Sequence, residues 1–298
     1  MLRILVTGDS GFLGSNIVLE LKHRGYAVTG LSRNSPDIKL DLTKLDDQQI
    51  LPASDVVVHA AASMKFNEAR ENREVNVIAT RKLFEAVLRS GIARFIYIST
   101  AFLFDNNSYE RTKKEAEEYL LENCDSNNIA LTIIRPSVIC EDSRLEGKQP
   151  NSGVYAGLRI LRQALDWYER KTGEEVGGKL IRIRANPDGK MNVIPVDFVV
   201  NTVIEAIETG RTGIIYATHP RPRTIKFLEQ PLSDILGVDI QFSQDFVPNS
   251  LERVIDRMNN VYIKYLQGYD LPSDIDCPQI DQDFVKESSR IELSRIKA

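Results

Sequence analysis

The sequence predicts an α/β chain, a doubly wound parallel sheet followed by a smaller carboxyl-terminal lobe. Three observations carry that expectation. Short runs rich in valine and isoleucine alternate with longer amphipathic stretches through the first half, the pattern of parallel strands joined by crossover helices. A glycine-rich turn stands directly after the first of those runs. Beyond Pro136 the alternation loosens into polar, turn-rich segments.

Strands are expected at residues 2–7 (LRILVT), 26–32 (YAVTGLS), 55–61 (DVVVHAA), 94–99 (RFIYIS) and 131–135 (LTIIR), with a short one near 38–40. Near-continuous apolar runs of this kind suit strands covered on both faces. Helices fall between them, at 14–23, 67–90 and 109–123. The segment EDSRLEGKQPNSG, from residue 141, reads as a loop at the edge of a site. A helix over 154–171, a strand pair within 180–194, a helix over 195–207 and a strand GIIYAT follow, then helices near 223–236 and 249–266. This divides the chain into residues 1–140, with their sheet completed by segments from 180–220, and residues 141–298, mainly a substrate-binding lobe.

Composition narrows the function. A chain of 298 residues, 42% hydrophobic, buries a large core. Its net charge is −4, with acidic and basic residues interspersed and no basic block to track a phosphate backbone, so nucleic acid is not an expected partner. Cys124, Cys140 and Cys277 show no CxxC spacing, and His23, His59 and His219 form no ligand spacing. Neither a disulfide framework nor a metal site is expected, and the compartment reads as reducing and cytoplasmic. The amino terminus enters a strand pattern at once, leaving no signal-peptide pattern, and no apolar run approaches the roughly 20 residues of a membrane span.

The turn TGDSGFLGS places Gly8, Gly11 and Gly14 as GxxGxxG between the first strand and the first helix. A dinucleotide pyrophosphate needs a tight turn there, close backbone approach, and a helix amino terminus whose free amides favour an anion. A purely structural turn is the plainer alternative. On the first reading the sheet is of the Rossmann type, and Gly8, Ser10, Gly11, Phe12, Leu13 and Gly14 are candidates to hold the cofactor. The end of the second strand reads LSRN, with no carboxylate before Asp37. An arginine there meets a 2′-phosphate, whereas an acidic residue would meet a ribose hydroxyl. Arg33, flanked by Ser32 and Asn34, therefore points to NADPH, the alternative being an exposed surface charge. Asp41 and Leu42 are placed to border the adenine.

Tyr109 and Lys113, in SYERTKKEAEEYL, lie one helical turn apart on one face. Alone, that spacing fits a catalytic pair or one turn of a charged surface helix. Tyr109 is, however, the only tyrosine in the chain with lysine at i+4. With the glycine turn, HAAA at the end of the fourth strand and YISTAFLF before YERTK, the chain resembles the extended short-chain dehydrogenase/reductases. That resemblance implies Thr100 as hydrogen-bonding hydroxyl, Tyr109 as acid and Lys113 as its helper, which also binds the nicotinamide ribose. It implies that Ala60, Ala61, Pro136 and Ser137 border the cofactor, and that Asn76 steadies the active-site backbone.

The phrases HAAASMKFNEARENREVNVIATRKLFEAV, FIYISTAF, IIRPSVI and NVIPVDFVVNTVIEAI are similar to the fatty acyl reductase and thioester reductase branch, the group once called male-sterility proteins. This similarity implies NADPH-dependent reduction of an acyl thioester, carried on coenzyme A or a carrier protein, to an aldehyde or alcohol. Thr100 and Tyr109 are nine positions apart, a trimmed segment for an extended member. Adenylation and carrier modules are absent from the sequence, so free-standing action is expected, and a dimer is among the open oligomeric options. His59 is expected to pack at a strand end, and Trp167 with Tyr168 either packs the lobe or lines an acyl surface. The rival readings are a nucleotide-sugar epimerase or dehydratase, for which Arg182, Arg184, Arg221 and Arg223 would meet a diphosphate, a hydroxysteroid-type dehydrogenase, and an NADPH-sensing protein without turnover.

Overall fold

The chain is described by a computed structural model at residues 1–66, 68–144, 154–260 and 264–296. It divides into two units. The first comprises Met1–Ser137, Ile194–Thr218 and Ser273–Ile275, the second Val138–Val193, His219–Pro272 and Asp276–Ala298. Residues 145–153, most of the expected loop, and 261–263, within the expected helix 249–266, lie outside the described residues, as does Asn67.

A seven-stranded sheet organises the first unit, built from β1 (Arg3–Thr7), β2 (Ala27–Ser32), β3 (Ile38–Lys39), β4 (Val56–His59), β5 (Arg94–Ile98), β6 (Ala130–Pro136) and a late strand (Gly213–Ala217). All pairings are parallel, in the spatial order late strand, β6, β5, β4, β1, β2, β3. The order reverses on either side of β1. In a doubly wound sheet the carboxyl ends of the strands at such a reversal are where a ligand binds. The strands are apolar along their lengths because both faces are covered: Leu5, Val57, Phe95, Tyr97 and Ile133 share one core cluster with Leu83, Phe84, Ala116 and Leu120 of the flanking helices.

Those helices are α1 (Phe12–His23), α2 (Ala69–Asn72), α3 (Ala79–Arg89) and α4 (Ser108–Ser126). The single helix expected over 67–90 is interrupted. Arg73–Ile78 is wound as a π-helix between α2 and α3. The physical account lies in two asparagines that hold the preceding loop: Asn72 Nδ2 donates to Lys65 O at 2.6 Å and to Ser108 Oγ at 2.8 Å, and Asn76 Nδ2 donates to Ser63 O at 2.9 Å while its Oδ1 accepts from Ser63 N at 2.8 Å. Apolar periodicity carries no mark of such bonds. A π turn inside a helix is frequent at functional sites.

The second unit contains β7 (Val138–Cys140), α5 (Val154–Thr172), β8 (Leu180–Arg184) and β9 (Lys190–Met191). After β10 (Val193–Pro195), α6 (Val196–Thr209) and the late strand, now β11, the chain supplies it with β12 (Arg223–Thr224), α7 (Glu229–Leu236), β13 (Asp239–Ser243), α8 (Ser250–Met258) and α9 (Gln282–Ile296). The strands expected within 180–194 do not pair with each other. β8 pairs in parallel with β13, and β9 pairs antiparallel with β12. Of the stretch 180–220, β11 alone joins the large sheet, because β8 buries Ile181 and Ile183 in the second unit's own cluster with Leu158, Leu165, Ile240 and Phe242. Tyr168 belongs to that cluster, while Trp167 is half exposed. No described helix is long and apolar enough to cross a membrane.

Candidate active site

The glycine turn has no room for side chains. Gly8 takes a positive φ of 74°, and a Cβ there would lie 2.7 Å from the backbone of Ala61. A Cβ on Gly14 would lie 2.1 Å from Gly8 O, so the start of α1 presses directly on the turn. Phe12 and Leu13 open α1, and Gly11 N donates to Gly8 O at 2.9 Å. These contacts join β1, the turn and the end of β4 through Ala60 and Ala61, leaving the helix amino terminus open to an anion. Beside the turn, Ser32 Oγ donates to Ser10 Oγ at 2.9 Å.

Arg33 follows β2 and is exposed, in the electrostatic field of Asp41, Lys65 and Glu71. Asp41 caps a short turn, accepting from Thr43 N at 3.0 Å. Leu42, beside it, buries its side chain in the core cluster with Leu31 and Leu45.

Tyr109, Lys113 and Thr100 come together at the carboxyl end of β5. Helix α4 starts one residue before Tyr109, capped by Asn107, whose side chain accepts from Glu110 N. The Thr100 hydroxyl stands beside the Tyr109 phenol and accepts from Phe102 N at 3.1 Å. Lys113 is 2% exposed. Its Nζ donates to Ile98 O at 2.6 Å and stands 4.2 Å from the centroid of the Tyr97 ring. Burial lowers the Lys113 ammonium from 10.5 to about 7, partly opposed by the Glu117 carboxylate. Burial raises the Tyr109 phenol, the Thr100 hydroxyl acts the other way, and the Glu110 carboxylate adds to the rise.

Pro136 ends β6 and Ser137 follows it, with Pro136 O accepting from Ala101 N at 2.8 Å. Ser99 Oγ and Ser137 Oγ, past the ends of neighbouring strands, are buried without a hydrogen-bond partner. Such orphaned hydroxyls beside a steric cradle of glycines fit a bound dinucleotide, which supplies polar atoms at that edge.

The model of the NAD dependent epimerase/dehydratase family matches residues 4–159, more than half of the chain. The chain belongs to that family. The chain is 26% identical over 226 residues to fatty acyl-CoA reductase 1 of Xenopus laevis, a match covering 60% of this chain and 41% of the relative. It is 30% identical over 168 residues to UDP-glucose 4-epimerase of Vibrio cholerae, covering 46% of this chain and 51% of the relative. The chain thus spans two fifths to half the length of these relatives. A solved structure of UDP-glucose 4-epimerase from Thermotoga maritima, with UDP-glucose, shares the fold at TM-score 0.69 and 20% identity over 99% of both chains. The family match agrees with the extended short-chain dehydrogenase/reductase type to which the glycine turn and the tyrosine–lysine spacing pointed.

Around the candidate acid and the turn, Phe66 and Asp9 were not foreseen, whereas Asn76 and His59 were. The Phe66 ring stands edge-on to Tyr109, with centroids 6.1 Å apart. Asn76 Nδ2 reaches Thr112 Oγ1 at 3.1 Å, so the loop carrying Phe66 is tied to α4. His59 is buried between Thr7 Oγ1 at 2.6 Å and Thr80 Oγ1 at 2.9 Å. Burial, and then the Lys113 charge, lower it to about 3, so it stays neutral and serves no proton transfer. Asp9, inside the glycine turn, accepts from Ser35 Oγ at 2.6 Å and fixes the β2–β3 turn. Its facing residue, Gly30, has room only for hydrogen, since a Cβ would fall 2.2 Å from Asp9 Oδ2. Among the described residues no group of three or more His, Cys, Asp or Glu side chains could hold a metal ion.

Proposed function

We propose that this enzyme reduces an acyl thioester, borne by coenzyme A or a carrier protein, with NADPH as the reductant. The observation that carries the reading is the apolar approach to Tyr109. Phe66 lies against its ring, Phe102 and Phe104 follow Thr100 with centroids 6.4 Å apart, and Met64 and Phe104 expose 52% and 45% of their surfaces on the segments beside it. Such a surface suits a hydrocarbon chain better than a sugar, whose hydroxyls would need partners there. The reading that requires a diphosphate in the second unit has less support. Arg182 is paired with Glu252, Arg184 with Asp256 and Arg221 with Asp276, and Arg223 donates to Ile280 O.

NADPH, when bound, supplies the hydride for the carbonyl carbon. Negative charge then grows on the carbonyl oxygen, where Tyr109 donates a proton and Thr100 a hydrogen bond. Lys113 restores the balance of charge as the phenol loses its proton. Collapse of the resulting hemithioacetal gives the hydroxyl proton back to the Tyr109 phenolate as the C–S bond breaks, expelling a thiolate and leaving an aldehyde. NADPH consumption on acyl-CoA should therefore release free thiol in step, countable with a colorimetric reagent. Robust NADPH oxidation on a ketone or nucleotide sugar, with none on acyl thioesters, would assign the enzyme to another branch of the family.

The choice of NADPH rests on Arg33, whose guanidinium would meet the 2′-phosphate while Asp41 and Glu71 temper the local charge. Arg33→Ala should weaken NADPH binding roughly 10- to 100-fold, the worth of one charged phosphate contact, and leave NADH binding unchanged. Equal affinities for the two cofactors in the unaltered enzyme would remove this assignment.

A further inference from the structure

Tyr109, Lys113 and Glu117 recur at i, i+4 and i+8 along α4, so all three lie on one face. Glu117 is 2% exposed, an expensive place for a carboxylate unless it is paired. Its partner comes from β6. Arg135 Nε donates to both carboxylate oxygens, at 3.1 and 3.2 Å, and Nη2 donates to Oε2. Arg135 Nη1 in turn donates to Tyr216 Oη at 2.6 Å, and β11, which carries Tyr216, is fixed at its edge by Asp274 Oδ2 accepting from Tyr216 N at 2.8 Å. A rigid ion pair is thus built into the sheet one helical turn below the candidate catalytic lysine.

We infer that Glu117 is a positioning residue that keeps Lys113 protonated, and that Arg135 limits how strongly it does so. This rests on the assignment of Lys113 to the catalytic site. Among the described residues, the groups facing Lys113 are neutral His59 from β4, the Tyr97 ring and Ile98 O from β5, Tyr109 and Glu117 from its own helix, and Arg135 beyond Glu117. Glu117 is the one carboxylate among them. Without it the buried ammonium would have only a carbonyl and a ring face, and would lose its proton below neutrality. A neutral amine cannot support a phenol that is giving up its own proton. Arg135 holds the carboxylate in place and partly cancels its field. The two charges therefore act on Lys113 with opposite signs, although both contribute in the same direction to the packing of α4 on β6.

That opposition gives the test. The full chain is labelled with 13Cε-lysine, the Lys113 resonance is assigned as the one lost in Lys113→Met, and its titration midpoint is read without substrate or cofactor. Glu117→Gln, which keeps size and hydrogen bonding, should lower the midpoint by about one pH unit, and Arg135→Gln should raise it by a similar amount. Glu117→Asp, which retains the charge, should leave it near its original value. If a Glu117 variant fails to fold, the upward move in Arg135→Gln still decides. Midpoints that stay put, or that move the same way in both charge-removing variants, would mean that the ion pair is only structural. The catalytic assignment fails separately, by normal turnover in Tyr109→Phe, so the two failures are distinguishable.

Discussion

Tyr109→Phe should lower turnover by about 100- to 10,000-fold, the range for loss of a positioned general acid, while leaving the fold and cofactor affinity close to those of the unaltered enzyme. The substitution removes one oxygen. Its ring still packs edge-on against Phe66, and Asn107 still caps α4. What goes is the proton for the developing oxyanion and the contact with the Thr100 hydroxyl. Loss of even one neutral hydrogen bond costs only about 1 kcal/mol of stability, so a folded, cofactor-binding and inactive protein is the expected result. Circular dichroism, NADPH titration and turnover on one preparation separate the effects. Turnover within a few-fold of normal would return Tyr109 to the role of an ordinary half-buried helix residue.

How much of this site could be read from the residues depended on whether the information was local. The glycine turn was legible because a tight turn, a close backbone approach and a helix start all demand glycine at fixed spacing, and Gly8 and Gly14 meet steric limits of that kind. The strands of the first unit were legible because a parallel sheet buried on both faces leaves continuous apolar runs. The second unit was much less so. β8 pairs with β13, about sixty residues away, and nothing in either segment names its partner. Long-range polar contacts were equally hidden: the interruption in helix 67–90 follows from Asn72 and Asn76 gripping a loop, and the partner of Glu117 is eighteen residues distant. The charge state of the site was the least accessible property. It depends on burial, which lowers Lys113 and raises Tyr109 and which no local run of residues reveals.

That burial makes Lys113 costly to the fold, and Lys113→Met should therefore gain stability as it loses turnover. The sign follows from linkage. Lys113 titrates at about 7 in the folded chain against 10.5 for an ordinary lysine, so between those values the unfolded chain holds a proton that the folded chain does not. Stability from this group rises with pH through that window, and the penalty is complete below it. At about 1.4 kcal/mol per pH unit, the cost near neutrality is on the order of 4 kcal/mol. Methionine is of similar length and carries no charge, but it leaves Ile98 O without its lysine donor, which returns roughly 1 to 2 kcal/mol of that gain. A net stabilisation of about 2 kcal/mol at pH 7 is expected, shrinking toward zero by pH 9 as the unaltered chain sheds its penalty. Denaturant unfolding of both proteins at the two pH values, without cofactor, measures the difference directly. A variant less stable at both, or a gap that does not change with pH, would show that the ammonium is not a buried charge held against its own desolvation. A gain that narrows with pH, in a protein with no turnover, would identify Lys113 as a group maintained for chemistry at the expense of the fold.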